Sequence, residues 1–298
     1  MSKNTEDVLM RAYSDSIRHT KFRGQLLGTG ETVYGGFFQH SKVLLCPVGI
    51  TEEDIENNTE YLIATTVLDE EGKESIKLHQ VDPSTVSLFT NKYDKDNKEI
   101  YTGDTVVYVN KEFVVKYRLG DFYLYSTDKQ RPLRGIKYSK LRVLSDRPVQ
   151  PSCLNLDHLG IKAKAIHNDT WYRGGCSYDE NLNQMNVLLN NGLSDWNLPA
   201  PISAMRVKPD TCELSLGILD EDGTSAYTGD IVEFTEDIIL NPTTHIKKNT
   251  RAVIIRLPGE VCIRTSEILI PMQDLITEGN KLINAVIVNN IHDLEVAK

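Results

Sequence analysis

Long apolar runs are missing from this chain. No stretch of about 18 apolar residues occurs among its 298, so nothing in it has the length and composition of a membrane-spanning helix. Cysteine is sparse and scattered: Cys46, Cys153, Cys176, Cys212 and Cys262 are odd in number and form no Cys-x-x-Cys pair. That argues against both a disulfide framework and a zinc site, and leaves the expectation of reduced thiols. An excess of positive charge is missing too. Asp and Glu number 42 against 33 Lys and Arg, a formal net charge of −9, which disfavours sequence-independent nucleic-acid binding through displaced counterions. The acidic residues are mixed with basic ones along most of the chain, so the charge describes an ordinary acidic surface rather than a DNA mimic. The opening residues have neither the basic start nor the apolar core of a signal peptide, and the expectation is a soluble, cytoplasmic protein.

Catalytic signatures are equally scarce. Neither a Gly-x-Ser-x-Gly elbow, a phosphate-binding loop nor a dinucleotide fingerprint is present, and "LGTGE" at Leu27–Glu31 lacks the Lys-Ser/Thr of a phosphate loop. The histidines His19, His40, His79, His158, His167, His245 and His292 stand apart from one another and from cysteine, giving no metal-ligand spacing. Asp94-x-Asp96 and Asp220-x-Asp222 suggest calcium loops at first sight. The third ligand position holds Lys98 or Thr224, however, and no glutamate stands at the twelfth, so acidic turns are expected instead. The expectation is a protein that is not an enzyme, with no metal and no cofactor.

What is present is β-texture. Thr5, Glu6 and Asp7 would start a short N-terminal helix that carries Val8, Leu9, Ala12 and Tyr13 at helical spacing. From Lys21 onward brief apolar runs alternate with Gly, Asn and Asp, as in "ETVYGGFFQ", "EYLIATTVL", "EFVVKYRL" and "TRAVIIRL". "LGTG" at Leu27–Gly30 and "DEEGKE" at Asp69–Glu74 read as hairpin turns. "NLNQMNVLLNNGL" reads as a short helix ended by Gly192. The proline-containing stretch Ser145–Gly160 interrupts the strand pattern and is the candidate linker.

One block is written twice. Offset by 126 residues, "VDPSTVSLFTNKYDKDNKEIYTGDTVVY" (Val81–Tyr108) falls on "VKPDTCELSLGILDEDGTSAYTGDIVEF" (Val207–Phe234) without a gap. Val81, Pro83, Thr85, Leu88, Asp94, Asp96, Tyr101, Thr102, Gly103, Asp104 and Val106 all meet identical partners. Looser echoes pair "VYGG" at Val33 with "WYRGG" at Trp171, and "VVKYR" at Val114 with "VIIRL" at Val253. Within the block, Asp side chains are placed to bond turn amides, Gly103 and Gly229 to permit a tight bend or bulge, and Asp104 and Asp230 to cap it before the next strand.

At this block the sequence resembles the YopX family, small proteins encoded mainly by bacteriophages and prophages. The carrying residues are "IRHTKFRG" (Ile17–Gly24), "VYGG" (Val33–Gly36), "VDPSTVSLFTNKYDKDNKEIYTGDTV" (Val81–Val106) and "AVIVNNIHDLEV" (Ala285–Val296). The second half departs from the family pattern: Leu216 stands where the first half has Thr90, Lys-Phe-Arg is lacking, and Asn289 replaces the glycine of the tail. The resemblance implies a mainly β fold of two tandem, bent antiparallel half-barrel (SH3-like) modules, the second one diverged. The expected boundaries are an N-terminal helix or tail over 1–16, module 1 over 17–148, a linker over 149–160 and module 2 over 161–298. The family's activity is unassigned, so the resemblance transfers no functional residue.

Two patches carry binding expectations. Lys116–Arg142 interleaves basic residues with tyrosines, and Tyr117, Arg118, Tyr123, Tyr125, Lys137, Tyr138, Lys140 and Arg142 could hold phosphates and stack on bases. Alternation on an edge hairpin gives the same pattern with no ligand. Trp171, Tyr172 and Trp196 could anchor an interface or simply fill a core. The functional expectation is a phage-encoded accessory protein that works in the cytoplasm of the bacterial host. It would bind and modulate a host protein such as an antiphage defence component. Nucleic-acid binding or a replication-associated role is the alternative, no membrane is involved, and a homo-oligomer is compatible with the sequence.

Overall fold

The computed structural model describes residues 9, 13, 20–41, 58–68, 70–118, 121–144, 149–150, 154, 156, 159–179, 184–190, 202–277 and 279–295. The strands of the first half are β1 (Phe22–Gln25), β2 (Thr32–Ser41), β3 (Thr59–Leu68), β4 (Glu74–Gln80), β5 (Ser87–Tyr93), β6 (Glu99–Tyr101), β7 (Thr105–Tyr108), β8 (Lys111–Arg118), β9 (Asp121–Tyr125), β10 (Gln130–Pro132) and β11 (Leu141–Val143). Those of the second half are β12 (Ile161–Lys164), β13 (Trp171–Asp179), β14 (Gln184–Asn190), β15 (Ile202–Val207), β16 (Glu213–Leu219), β17 (Ser225–Tyr227), β18 (Asp230–Phe234), β19 (Ile238–Asn241), β20 (Thr244–Ile246), β21 (Arg251–Leu257), β22 (Glu260–Arg264), β23 (Leu269–Pro271) and β24 (Ala285–Asn290). The short helix α1 (Ile291–Glu295) follows β24. The chain is mainly β and built of small antiparallel sheets.

It forms two compact units, and each draws on both halves of the sequence. One comprises His19–Phe89 and Leu159–Cys212; the other comprises Met1–Arg18, Thr90–His158 and Glu213–Lys298. The first unit holds two meanders, β1 to β4 and β12 to β15, paired antiparallel throughout. Their local bonds correspond one to one. The Gln25 amide donates to Thr85 Oγ1 at 2.9 Å and the Lys164 amide to Thr211 Oγ1 at 2.9 Å. Leu26 bridges Val81 as Ala165 bridges Val207. The meanders touch through glycines: a Cβ on Gly36 would lie 1.9 Å from the Cys176 carbonyl oxygen, and one on Gly175 would lie 2.7 Å from that of Phe37. Any side chain there would force the strands apart, which is why Gly-Gly stands in both "VYGG" and "WYRGG".

The second unit holds two five-stranded sheets of identical layout, ordered β10-β9-β8-β7-β11 and β23-β22-β21-β18-β24. Corresponding strands carry the same hydrogen bonds. Gly103 N–H donates to Val115 O at 2.7 Å and Gly229 N–H to Ile254 O at 2.8 Å. The amides of Tyr101 and Tyr227 each donate to Oδ2 of the following Gly-Asp aspartate, Asp104 or Asp230, at 2.8 Å. Both glycines hold a left-handed backbone, φ 82° and 86°. The acidic turns are closed by their first aspartate. Asp94 Oδ1 accepts from the amides of Asp96 and Lys98, and its Oδ2 from Val143; Asp220 accepts from Thr224 and Ile287. Burial opposes the charge on Asp94, but these amides outweigh it and hold the carboxyl below its ordinary value.

Two sequence expectations meet different outcomes. Gln184–Asn190, inside the stretch read as a short helix, is strand β14, paired on one side with β13 and on the other with β15. Met185, Asn186, Val187 and Leu188 are buried in succession, so a sheet buried on both faces overrides the helical reading of the segment. The N-terminal helix lies outside the described residues, except for Leu9 and Tyr13. Both are buried, in a cluster with Ile231, Val253, Ile255, Cys262, Ile291 and Leu294. Most of the linker Ser145–Gly160 also lies outside the described residues.

Candidate functional site

The site builds from the first five-stranded sheet. In β8 side chains alternate: Phe113 and Val115 point to the buried face, while Glu112, Val114 and Lys116 share the other. The register sets Val114 opposite Thr105 and Tyr125, and Lys116 opposite Tyr123. Thr105, Glu112, Val114, Lys116, Tyr125 and Gln150 thereby line an open cavity of about 580 Å³, within the range of about 300–1,000 Å³ typical of ligand sites. The Lys116 ammonium lies 5.3 Å from the centre of the Tyr125 ring, a cation–π contact that fixes both on this face.

A second hollow, of about 390 Å³, lies between Asn91, Lys92, Tyr93, Asn97, Ile136, Lys137, Tyr138 and Pro258. Lys92 ties its walls together by donating to the Ile136 carbonyl at 2.9 Å, and burial lowers the pKa of that ammonium. Tyr138 is 65% exposed and Tyr93 is 42% exposed.

Between the two sheets lies a buried polar seam. Asp121, at the start of β9, is fully buried; its Oδ1 accepts from the Phe122 amide at 2.8 Å, while Oδ2 has no hydrogen-bond partner among the described residues. Its counterpart by strand register is Glu260, since Arg118 faces Asp121 and Leu257 faces Glu260. Arg134 Nη1 lies 3.8 Å from Glu260 Oε2, and the Tyr123 hydroxyl donates to Gln273 Oε1. Burial pushes the Asp121 carboxyl up to about 7, and the charges of Glu260 and Asp274 add to the rise, against the Phe122 amide and Arg134. Burial likewise pushes the Tyr123 phenol up to about 12.

A third polar group closes the chain's end. Asn290 Nδ2 donates to Glu213 Oε1 and Oε2 at 3.0 and 2.9 Å and to Asp230 Oδ1 at 3.0 Å, with His292 Nε2 at 3.7 Å from Glu213. All four residues are buried. One amide thus bridges two carboxylates that would otherwise repel. Among the described residues no group of three His, Cys, Asp or Glu side chains is arranged to hold a metal ion.

The tyrosine-rich stretch is dispersed. Tyr125 lies in the larger cavity, and Lys137 and Tyr138 lie in the hollow. Arg118, Lys140 and Arg142 are exposed on separate elements, Tyr123 is buried, and Tyr117 is half-buried with its hydroxyl buried. A buried ring cannot serve as a stacking platform. Trp171 and Tyr172 are half-buried, with Lys162 and Lys164 at 5.0 and 5.4 Å from the Trp171 ring; Trp196 lies outside the described residues. Sequence reasoning missed Glu112, Thr105 and Gln150 in the cavity and all of the Asp121 seam but Tyr123, because the seam's partners are far apart in the chain. The signal was available in the echo of "VVKYR" by "VIIRL", which puts Lys116 opposite Ile255 of the second copy. No protein-family model, no curated protein and no solved structure matches the chain. Among the described residues no helix is long and apolar enough to cross a membrane.

Proposed function

We propose that the chain is a non-enzymatic accessory protein that binds and modulates another protein through the open face of its first five-stranded sheet. The observation that supports this is the cavity of about 580 Å³ on that face, with Lys116, Glu112 and Tyr125 in its lining. Charged side chains beside an aromatic ring suit recognition of a protein surface, where aromatic anchors and oriented charges carry affinity and specificity. Among the described residues, the carboxyl groups that gather at Asp121 and Glu260 and at Glu213 and Asp230 stand in buried or partly buried seams. The YopX resemblance and the duplicated block are the grounds for taking the partner to be a host protein of a bacteriophage or prophage, in the bacterial cytoplasm, with a component of antiphage defence the first to test.

Nucleic-acid binding is the second reading, and the hollow between Tyr93 and Tyr138 with Lys92 and Lys137 favours it. An affinity pulldown of the tagged chain from host lysate, with and without nuclease, separates the two. A stoichiometric protein partner that survives nuclease supports the first. Recovery of nucleic acid, with accompanying proteins lost after nuclease, supports the second and removes the first.

A further inference from the structure

The two five-stranded sheets correspond strand by strand, so positions in the matched strands have counterparts. Thr105 corresponds to Ile231 by the offset of 126 residues. Val114 and Lys116 correspond to Val253 and Ile255, because Thr105 faces Val114 as Ile231 faces Val253. Gln150 corresponds to Ile291, because their amides donate to the carbonyls of Gly103 and Gly229 in turn, each at 2.9 Å. Four residues lining the open cavity are therefore the counterparts of Ile231, Val253, Ile255 and Ile291. Those four belong to the buried cluster that receives Leu9 and Tyr13. On the second sheet this seat is filled by Leu9 and Tyr13; on the first, among the described residues, the same seat is open, and three of its four apolar residues have become Thr105, Lys116 and Gln150.

We propose that the open seat takes a segment of the partner that presents two apolar side chains four residues apart, as Leu9 and Tyr13 do, together with a carboxylate that meets Lys116. This rests on the binding reading above and names what that reading leaves general. The filled seat shows which occupant the geometry accepts. The exchange of Ile255 for Lys116 shows how the open one discriminates: an apolar segment without an acid would leave a desolvated ammonium unpaired. Val114 remains apolar, and Tyr125 adds a ring beside the charge, so an apolar anchor is still accommodated.

The probe is a fluorescent synthetic peptide of Thr5–Arg18, which carries Leu9 and Tyr13 with Glu6, Asp7 and Asp15 around them, titrated against the full chain by anisotropy. The expected result is saturable one-to-one binding, weakened about tenfold or more by Lys116→Glu and by Tyr125→Ala, the loss of a charged or aromatic anchor. A peptide with Leu9→Asp and Tyr13→Asp should not bind. A peptide with Glu6→Lys and Asp7→Lys should regain affinity for the Lys116→Glu protein, a rescue that misfolding would not give. Absence of binding at about 1 mM peptide, the bottom of the useful affinity range, overturns the proposal, as does equal binding by all variants. A concentration-dependent dimer abolished by Lys116→Glu assigns the seat to a second copy and also overturns it. If Lys116→Glu still captures the pulldown partner, the proposal fails and the binding reading stands; if the wild-type chain captures none, both fail.

Discussion

Replacing Asp121 by asparagine tests the seam between the two sheets quantitatively. Asp121 is fully buried, one carboxylate oxygen is unpartnered, and its carboxyl is pushed from 3.8 to about 7 by burial, with Glu260 and Asp274 adding to the rise. A native pKa above the unfolded value means that, between the two, the folded chain holds a proton the unfolded chain has lost. Its stability should therefore fall as pH rises from about 4 through 7 and level off beyond. A shift of about three units at 1.36 kcal/mol each sets a ceiling of about 4 kcal/mol on the loss. The substituted side chain would keep an oxygen for the Phe122 amide and carry no charge at any pH, so the Asp121→Asn variant should escape this loss. Arg134, Glu260, Asp274, Tyr123 and Cys262 face the position in both proteins. Urea unfolding of both proteins at about pH 5 and pH 8 should show the variant gaining about 2–4 kcal/mol on the wild type between those conditions. Parallel stability curves would mean that Asp121 releases its proton in the native state as easily as in the unfolded one, and that the seam does not hold it.

Other consequences are as direct. Asp94→Ala removes the acceptor of two turn amides and of the Val143 amide on β11, and should cost about 3 kcal/mol in urea unfolding at neutral pH. Because the Asp94 pKa is held low, its contribution should fade as the pH drops below the ordinary carboxylate value. Gly229→Ala combines a left-handed backbone with a Cβ set 1.8 Å from Glu213 Oε1, and should cost well over about 2 kcal/mol. Gly223→Ala, at φ 83° with open space around it, should cost only about 1 kcal/mol in the same assay. Asn290→Leu strands Glu213 and Asp230 without their bridging amide and should lower stability by about 3 kcal/mol, read from the urea midpoint.

The strand texture, the hairpin turns at Gly28 and Gly72 and the acidic turns at Asp94 and Asp220 were legible because each is written locally: alternation, positive-φ glycine, and aspartate next to the amides it accepts. The duplicated block was legible for the same reason, and its Gly-Asp motif performs in both copies the bend and cap read from it. β14 was misread because its apolar residues run together; burial on both faces, which sequence does not display, made that run a strand. The grouping of each copy's parts into two units was not legible, since it depends on which surfaces meet rather than on any local pattern. Tyr117 and Tyr123 looked like partners of Tyr125, but strand alternation put Tyr117 on the opposite face, and the buried seam took Tyr123. Lys116 acquired meaning only beside Ile255, its counterpart in a copy 139 residues away by the alignment of Val114 with Val253.

A protein seated on the open face around Lys116 and Tyr125 would be caught there by site-specific photo-crosslinking, with the crosslinker placed at position 112, in the cavity lining, or at position 138, in the separate hollow. In host lysate, position 112 should capture one protein, nuclease-resistant and lost on Lys116→Glu, and position 138 none. Capture from position 138 alone, whether of protein or of nucleic acid, would put the binding surface at the hollow instead.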